Sequence, residues 1–446
     1  MMDLSRQPRA AIEHHQLDRL RRLIAEVIPG NHFQTARLRT AGLAAGLSDL
    51  TEFSRRMPLT TKYEIAVDQQ AHPPYGSNVT FPLTRFTRLH QTSSTTGSPL
   101  RWLDTPGDWA WLLDGWKQVY AAAGVTAADR VFAAFSFGPF IGFWMAFEAA
   151  LQIGCLTIPG GSMNSVTRLR AMLANDVTVL LCTPTYAIRL GEVAREEGID
   201  LSRAAVRRII VAGEPGGSIP AVRERLHALW PTARVVDHHG MTEVGPVTYE
   251  CPDRPTTLHV MESHYLAEVI HPVTGEPIAG EQHEGELVLT PLGRIGMPLF
   301  RYRTGDLVRL DERWRRGEPC ACGRTLMTLT GGILGRADDM VFLRGVNLFP
   351  SAVDEIVHRF PDIQEYRVEI DSRGALDEMR ILIEPASGVA AEGPDLCRRL
   401  AKAFRDTWNL RIDVVAVPAG QLPRFEMKAR RWVRLAREPA AEGNRS

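Results

Sequence analysis

Apolar positions near the start of the chain recur at helical spacing: Leu17, Leu20, Leu23, Ile24 and Val27 share one face. The first sixty or so residues therefore read largely as helices. The middle of the chain alternates short apolar runs with longer amphipathic stretches. Val131–Phe135, Val179–Cys182, Ile209–Val211 and Arg234–Val236 read as strands, with helices at Ser165–Leu173 and Ile219–Leu229 between them. That rhythm predicts an α/β core with a largely parallel sheet. From Glu262 to Leu310 the pattern changes to strands at Tyr265–Ile270 and Glu286–Thr290, with turns at His271–Glu276 and Ala279–Glu284. This predicts an antiparallel β subdomain. After Gly335 the chain reads as a small α+β unit: strand Met340–Leu343, helix Pro350–Arg359, strands Tyr366–Ile370 and Arg380–Ile383, helix Pro394–Trp408, and Val414–Val417 as the last strand. The expected division is a large domain over 1–335 and a small C-terminal α+β domain over 336–446.

Composition narrows the classes. With 44% hydrophobic and 23% charged residues, the chain has the make-up of a soluble globular protein. Its 52 basic and 52 acidic residues give no net pull toward nucleic acid or an anionic membrane, so neither is expected as a partner. The uncharged run Val131–Phe147 is short for a bilayer span and holds Ser136, Gly138, Pro139 and Gly142. It reads as a buried strand, a turn and a helix start. The polar residues up to Arg9 have no signal-peptide core behind them, and six cysteines are too few for a disulfide scaffold of this length. A cytoplasmic protein with reduced thiols is expected.

Five motifs can carry chemistry. Thr92-Ser93-Ser94-Thr95-Thr96-Gly97-Ser98-Pro99 is a hydroxyl-rich loop able to wrap phosphate oxygens, although no Gly-Lys-Ser/Thr of a Walker loop follows. Asp237-His238-His239-Gly240-Met241-Thr242-Glu243 directly follows a strand, and ligands bind beyond the carboxyl ends of such strands. A Thr and a Glu there can hold a phosphate oxygen and a divalent metal. Tyr302-Arg303-Thr304-Gly305-Asp306-Leu307 places a carboxylate, suited to a ribose diol, after a tight glycine turn. Gly335-Arg336-Ala337-Asp338-Asp339-Met340 leads into Arg344-Gly345-Val346-Asn347-Leu348-Phe349-Pro350, and Leu422-Pro423-Arg424-Phe425-Glu426-Met427-Lys428-Ala429 lies near the C-terminus. Taken singly, each has a plainer reading as a linker, a capped turn, a hairpin turn or a charged surface loop.

In this order and spacing the five resemble the adenylate-forming superfamily of acyl-CoA synthetases, adenylation domains and luciferases. Arg344–Pro350, Pro58-Leu59-Thr60-Thr61-Lys62 and Gly213-Glu214-Pro215 resemble its phenylacetate–CoA ligase-like branch. The resemblance implies an AMP-forming ligase that activates a carboxylic acid with ATP and Mg²⁺ and passes it to a thiol, coenzyme A first among the candidates. A carrier-protein thiol, an amine, no transfer at all, and a nucleotide-binding protein that has lost catalysis stay open; a homodimer is compatible. It implies that Thr92, Ser93, Ser94, Thr95, Thr96 and Gly97 close over the ATP phosphates. It implies that His239 and Gly240 lie at adenine, that Glu214 and Pro215 form a wall of its pocket, and that Asp306 holds the ribose. Thr242 would meet the α-phosphate, Glu243 would bind Mg²⁺, Arg336 would sit near ribose and phosphates, and Asp338 would be a hinge. Lys428 would bridge the α-phosphate and the attacking carboxylate, carried by a small domain that rotates between an adenylating and a thioester-forming pose. The chain departs from the pattern at Ser94, where glycine is usual, at Ser98, where lysine is usual, and at His239, where tyrosine is usual.

A separate constellation joins Cys251 and His259 to Cys320 and Cys322, roughly sixty residues on. Three thiols and one imidazole suit a closed, structural Zn²⁺ site; unliganded cysteines in a loop are the plainer alternative. Cys155, Cys182 and Cys397 read as packing residues. Phe135-Ser136-Phe137-Gly138-Pro139-Phe140, with Trp144, is either ordinary core or a wall of the acid pocket; as a wall it would favour an aryl or other apolar acid.

Overall fold

Four helices open the chain: α1 (Arg9–Val27), α2 (His32–Thr40), α3 (Leu50–Arg56) and α4 (Lys62–Ala71). The stripe Leu20, Leu23, Ile24 and Val27 is buried against Leu38, Phe53 and Phe300, with Leu17 at its edge. The computed structural model describes residues 3–92, 99–343, 346–371, 377–386, 393–425 and 428–435. Ser93, Ser94, Thr95, Thr96, Gly97 and Ser98 of the hydroxyl loop lie outside the described residues, as do Arg344, Gly345, Glu426 and Met427.

β1 (Arg88–Gln91) and β2 (Arg101–Asp104) form an antiparallel hairpin around the hydroxyl loop. α5 (Pro106–Ala123) follows, started by a Thr105–Asp108 capping box. Then β3 (Arg130–Ala133), α6 (Trp144–Ile153), β4 (Leu156–Pro159), α7 (Ser165–Ala174), β5 (Val179–Cys182), α8 (Pro184–Glu196), β6 (Arg208–Val211), α9 (Pro220–Leu229) and β7 (Arg234–Asp237) build the parallel sheet, in the order β4-β3-β5-β6-β7. β5 shows why its apolar run is unbroken. Val179 and Leu181 enter one core and Leu180 and Cys182 the other, because successive side chains point to opposite faces and helices cover both. Each such burial contributes about 1.5–3 kcal/mol. The Val131–Phe147 run is a strand, a turn and the start of α6, as expected. Among the described residues no helix is long and apolar enough to cross a membrane.

The antiparallel part reaches further than Glu262–Leu310. After the two-residue strands β8 (Gly240–Met241) and β9 (Gly245–Pro246) come β10 (Thr248–Glu250), β11 (Thr257–Val260), β12 (Tyr265–Ile270), β13 (Glu284–Pro291), β14 (Tyr302–Leu310), the short α10 (Glu312–Arg315) and β15 (Thr328–Arg336). Six of these strands pair in the order β10-β11-β15-β14-β13-β12. The Tyr302–Leu307 motif is no hairpin turn: it lies inside β14, where Gly305 has φ 76° and the register with β15 shifts after Leu307.

The C-terminal unit comprises β16 (Val341–Leu343), β17 (Val346–Leu348), α11 (Pro350–Val357), β18 (Ile363–Asp371), β19 (Glu378–Pro385), α12 (Gly393–Trp408), β20 (Asp413–Ala416) and β21 (Trp432–Leu435). Its core is its own: Leu396, Leu400 and Phe404, one face of α12, pack on Val368, Ile370 and Ile381. The expectation that Val414–Val417 is the last strand is corrected. β21 lies beyond it and pairs in parallel with β18, giving the sheet order β20-β19-β18-β21. Its four residues, Trp-Val-Arg-Leu, are too few to show an alternating period against the flanking arginines.

Candidate active site

β7 ends at Asp237, and the next six residues supply the site's fixed side. Asp237 is buried and accepts the Ser218 hydroxyl. His238 is buried too, and burial pushes its imidazole down to about 3, so the ring is neutral. Its Nδ1–H donates to the Thr248 carbonyl at 2.6 Å. Gly240 has no room for a side chain, since a Cβ would come within 2.8 Å of the Gly245 carbonyl. That close approach closes the β8–β9 ribbon, whose turn holds Thr242 and Glu243.

His239 turns the other way: its Nε2 meets Asp306 Oδ2 at 2.8 Å. Asp306, on β14, is buried, and Arg336 on the neighbouring strand stands 3.5 Å from its other oxygen. The same guanidinium holds Asp338 at 2.9 Å. Glu243 is buried, yet its contacts are long: Tyr302 Oη at 3.4 Å and Lys62 Nζ at 3.3 Å. A desolvated carboxylate with such slack partners keeps acceptor capacity for a cation.

Lys428 enters from the C-terminal unit. Desolvation by the surrounding groups lowers its pKa below the ordinary lysine value, while the charges of Glu214 and Glu243, and more weakly Asp306, act in the opposite sense. Its Cε stands 3.3 Å from where a Cβ on Gly213 would lie. Glu214 joins the two units: one carboxylate oxygen accepts the Thr185 N–H at 2.9 Å, the other the Ala429 N–H at 2.8 Å. Lys428 thus faces Glu214, Glu243, Asp306 and Arg336 across one cleft, with His239 tied to Asp306 and Thr242 next to Glu243 in the β8–β9 turn. Thr92 is the base of the hydroxyl-loop hairpin, buried, with its hydroxyl accepting the Leu100 N–H at 3.0 Å.

Two family models match this chain: the AMP-binding enzyme over residues 87–291 and the AMP-binding enzyme C-terminal domain over 345–434. The phenylacetate-coenzyme A ligase of Thermus thermophilus is 31% identical over 449 residues, spanning 95% of the chain and 96% of that protein. The chain belongs to the AMP-binding enzyme family. The phenylacetate-coenzyme A ligase of Escherichia coli K12 is likewise 31% identical, over 86% of this AMP-binding enzyme and 84% of its own length. Among solved structures, 2-hydroxyisobutyryl-CoA ligase in the postadenylation state, in complex with 2-HIB-AMP, superposes with a TM-score of 0.89 at 26% identity, covering 96% of this chain and 91% of that one. In the thioesterification state, with 2-HIB-AMP and CoA, the score is 0.71 at 27% identity over the same shares. The two units of this AMP-binding enzyme are thus arranged as in the former.

The four metal-ligating candidates of this AMP-binding enzyme also meet. The Sγ atoms of Cys251, Cys320 and Cys322 and one ring nitrogen of His259 all lie within 4.8 Å of one another, and all four residues are buried. Cys251 Sγ to Cys320 Sγ is 3.8 Å, and Cys322 Sγ to His259 Nε2 is 3.3 Å. Sulfurs 2.3 Å from one tetrahedral centre stand about 3.8 Å apart, so the spacing fits Zn²⁺. The Thr328 hydroxyl lies 3.2 Å from His259 Nδ1, the contact that orients a ligating imidazole.

Sequence reasoning missed three residues that shape the site of this AMP-binding enzyme. Lys62 was quoted only within a branch motif, yet its ammonium reaches Glu243. His238 has a buried ring 4.4 Å from that of Trp116. Arg294, fully buried, donates to the carbonyls of Thr242 and Glu243. Lys62 and His238 stand inside quoted motifs but carry no local sign of a role of their own; Arg294 stands in none, and its charge after an apolar strand is the only signal. The aromatic segment divides. Phe135 is core, whereas Phe137 is partly buried, its ring centre 4.6 Å from that of Trp144, and Phe140 is 42% exposed.

Proposed function

We propose that this AMP-binding enzyme activates an aryl or other apolar carboxylic acid with ATP and transfers the acyl group to coenzyme A. In the first half, the acid's carboxylate oxygen attacks the α-phosphorus, the bond to the β-phosphate breaks, and pyrophosphate leaves. In the second, the thiolate of coenzyme A attacks the acyl carbonyl and AMP leaves. The observation that carries this reading is the convergence of Lys428 with Glu243, Glu214 and Asp306 in one cleft, in a chain 31% identical to a phenylacetate-coenzyme A ligase over 95% of its length.

The chemistry gives each residue its task. Attack by an anion on a polyanion is repelled, and an ammonium at Lys428 would offset the charge that develops. Thr242 would hydrogen-bond the α-phosphate. Glu243 would hold Mg²⁺, which when bound neutralises phosphate charge. Lys62 would add a second ammonium beside it. Asp306, shared with His239, would take the ribose hydroxyls, with Arg336 next to them. His239, Gly240, Glu214 and Pro215 would border adenine, and Thr92 to Gly97 would close over the phosphates. The domain division would fall at Gly335/Arg336, one residue before β15 ends, with Asp338 as the hinge. Cys251, His259, Cys320 and Cys322 would hold a structural Zn²⁺, four protein ligands leaving no open position. A cytoplasmic setting goes with this reading, in which the six cysteines, none of them in a disulfide, stay reduced.

The test is to incubate the protein with ATP, Mg²⁺ and a panel of aryl and aliphatic acids, following pyrophosphate release with and without coenzyme A. Release with one acid class, and an acyl-thioester plus AMP only when coenzyme A is added, is the expected result. No release with any acid, despite ATP binding, overturns it in favour of an inactive nucleotide binder.

A further inference from the structure

A guanidinium placed wholly inside a protein is costly unless its donors are all met. Arg294 is such a group, on the loop that follows β13, and its donors are aimed with purpose. Nε and Nη2 grip the carboxylate of Asp104 as a fork, at 2.7 and 2.9 Å. Nη1 donates to two main-chain carbonyls, Thr242 at 2.7 Å and Glu243 at 2.9 Å. Asp104 is itself fully buried at the end of β2, with His90 of β1 at 3.6 Å on its other side.

The loop presenting Arg294 is itself fixed. A Cβ on Gly293 would come within 2.4 Å of Trp111. The Ile295 and Gly296 N–H groups both donate to Asp108 Oδ1, at 2.6 and 3.1 Å. The turn it grips is weak by comparison: β8 and β9 have two residues each, too few to hold a turn rigid by their own pairing. Only an outside partner can fix the direction in which Thr242 and Glu243 point.

We propose that Arg294 is a positioning residue for nucleotide and metal binding, locking the Thr242–Glu243 turn to Asp104 at the foot of the hydroxyl-loop hairpin. One buried ion pair would then keep this turn in register with the β1–β2 hairpin. The proposal rests on the reading that Thr242 and Glu243 meet the Mg²⁺–ATP complex.

The experiment is calorimetric titration with MgATP, and with ATP in EDTA, of the full chain and three variants. Arg294→Lys keeps a cation for Asp104 and loses the fork. Arg294→Met with Asp104→Leu removes the pair without leaving a buried charge, an exchange that proteins often tolerate. Glu243→Gln tests the underlying reading. Both Arg294 variants should bind MgATP about 10- to 100-fold more weakly, the scale of a small misplacement of binding groups, at unchanged stoichiometry. Mg²⁺-free ATP should be affected less. Unchanged affinity with reduced stoichiometry, or failure of both variants to fold, would make the pair merely structural and overturns the proposal. If Glu243→Gln weakens MgATP and the Arg294 variants do not, the proposal alone falls. If Glu243→Gln changes nothing, the reading of the site falls and takes the proposal with it.

Discussion

The two sides of the cleft are held in different ways. On the strand-turn side, Thr242 and Glu243 are gripped through Arg294 by four buried bonds of 2.7–2.9 Å, and Asp306 is tied to His239 at 2.8 Å. On the lysine side, a separate core is joined to the rest by scattered single bonds. Glu214 accepts from Ala429 at 2.8 Å, Glu355 of α11 accepts the Ala221 N–H at the start of α9 at 3.0 Å, and Arg225 donates to the Ile363 carbonyl at 2.9 Å. A fully buried guanidinium–carboxylate fork holds both partners at two points, whereas each bond across the partly buried interface, though charge-assisted, fixes one point alone. Chemistry asks for this inequality. Phosphates must be met by groups that stay still, and a lysine needed in one half of a reaction must be free to leave for the other.

The largest test of the contrast is Lys428→Ala. Pyrophosphate release should fall about 10²- to 10³-fold, the scale of removing one group that stabilises developing charge, with ATP binding kept. An unchanged release rate sinks the assigned role. Zinc held by the cysteine cluster would give the fixed side a second anchor. Cys320→Ser, or strong chelation, should cost above about 3 kcal/mol of stability, in the tail to which metal loss belongs. Metal analysis should find one zinc per chain, and a zinc-free protein of undiminished stability refutes that anchor.

A smaller effect should appear on the lysine side with pH. Burial raises the Asp354 carboxyl to about 7 from an ordinary 3.8, against the opposing pull of Arg431; Glu214 and Glu365 add to the rise. Between those values the folded chain keeps a proton that the unfolded chain has released. Stability should therefore fall as pH rises from about 4 to 7, and Asp354→Asn should flatten the slope in urea melts taken across that range. An identical slope in the variant rules out Asp354 as its source. The smallest effect sharpens the comparison most. α9 has no side chain of its own on its first N–H groups, and Glu355 supplies the cap from the other unit. Glu355→Ala should remove about 1 kcal/mol of docking, slowing adenylation about fivefold. Thioester formation from supplied acyl-adenylate should hold or rise. Equal losses in both halves would show general damage.

Legibility in the sequence followed the same divide. The parallel strands and their helices were readable because burial on both faces leaves unbroken apolar runs such as Val179–Cys182. The residues that meet in the cleft were readable because they lie in short motifs, and the cysteine cluster because thiols and an imidazole are rare enough to notice. What stayed hidden is long-range. Arg294 and Asp104 are 190 residues apart, and nothing local marks either as the other's partner. Gly305 read as turn chemistry although β14 runs through it, since a strand with a shifted register uses the same residue. β21 was missed because four residues beside arginines carry little period.

That last strand changes how the lysine is carried. β20 and β21 are the two edges of the four-stranded sheet, and the segment bearing Lys428 runs from one edge to the other. It is strung like a bowstring between the ends of a single bow. Glu384 steadies the span at Gly420 and Leu422, and Arg431 pairs with Glu365 just before the second attachment. The lysine therefore needs no pivot of its own: whatever turns the sheet turns the ammonium through the same arc. A chain cut just before Trp432 would keep its lysine but let one end of the string go slack.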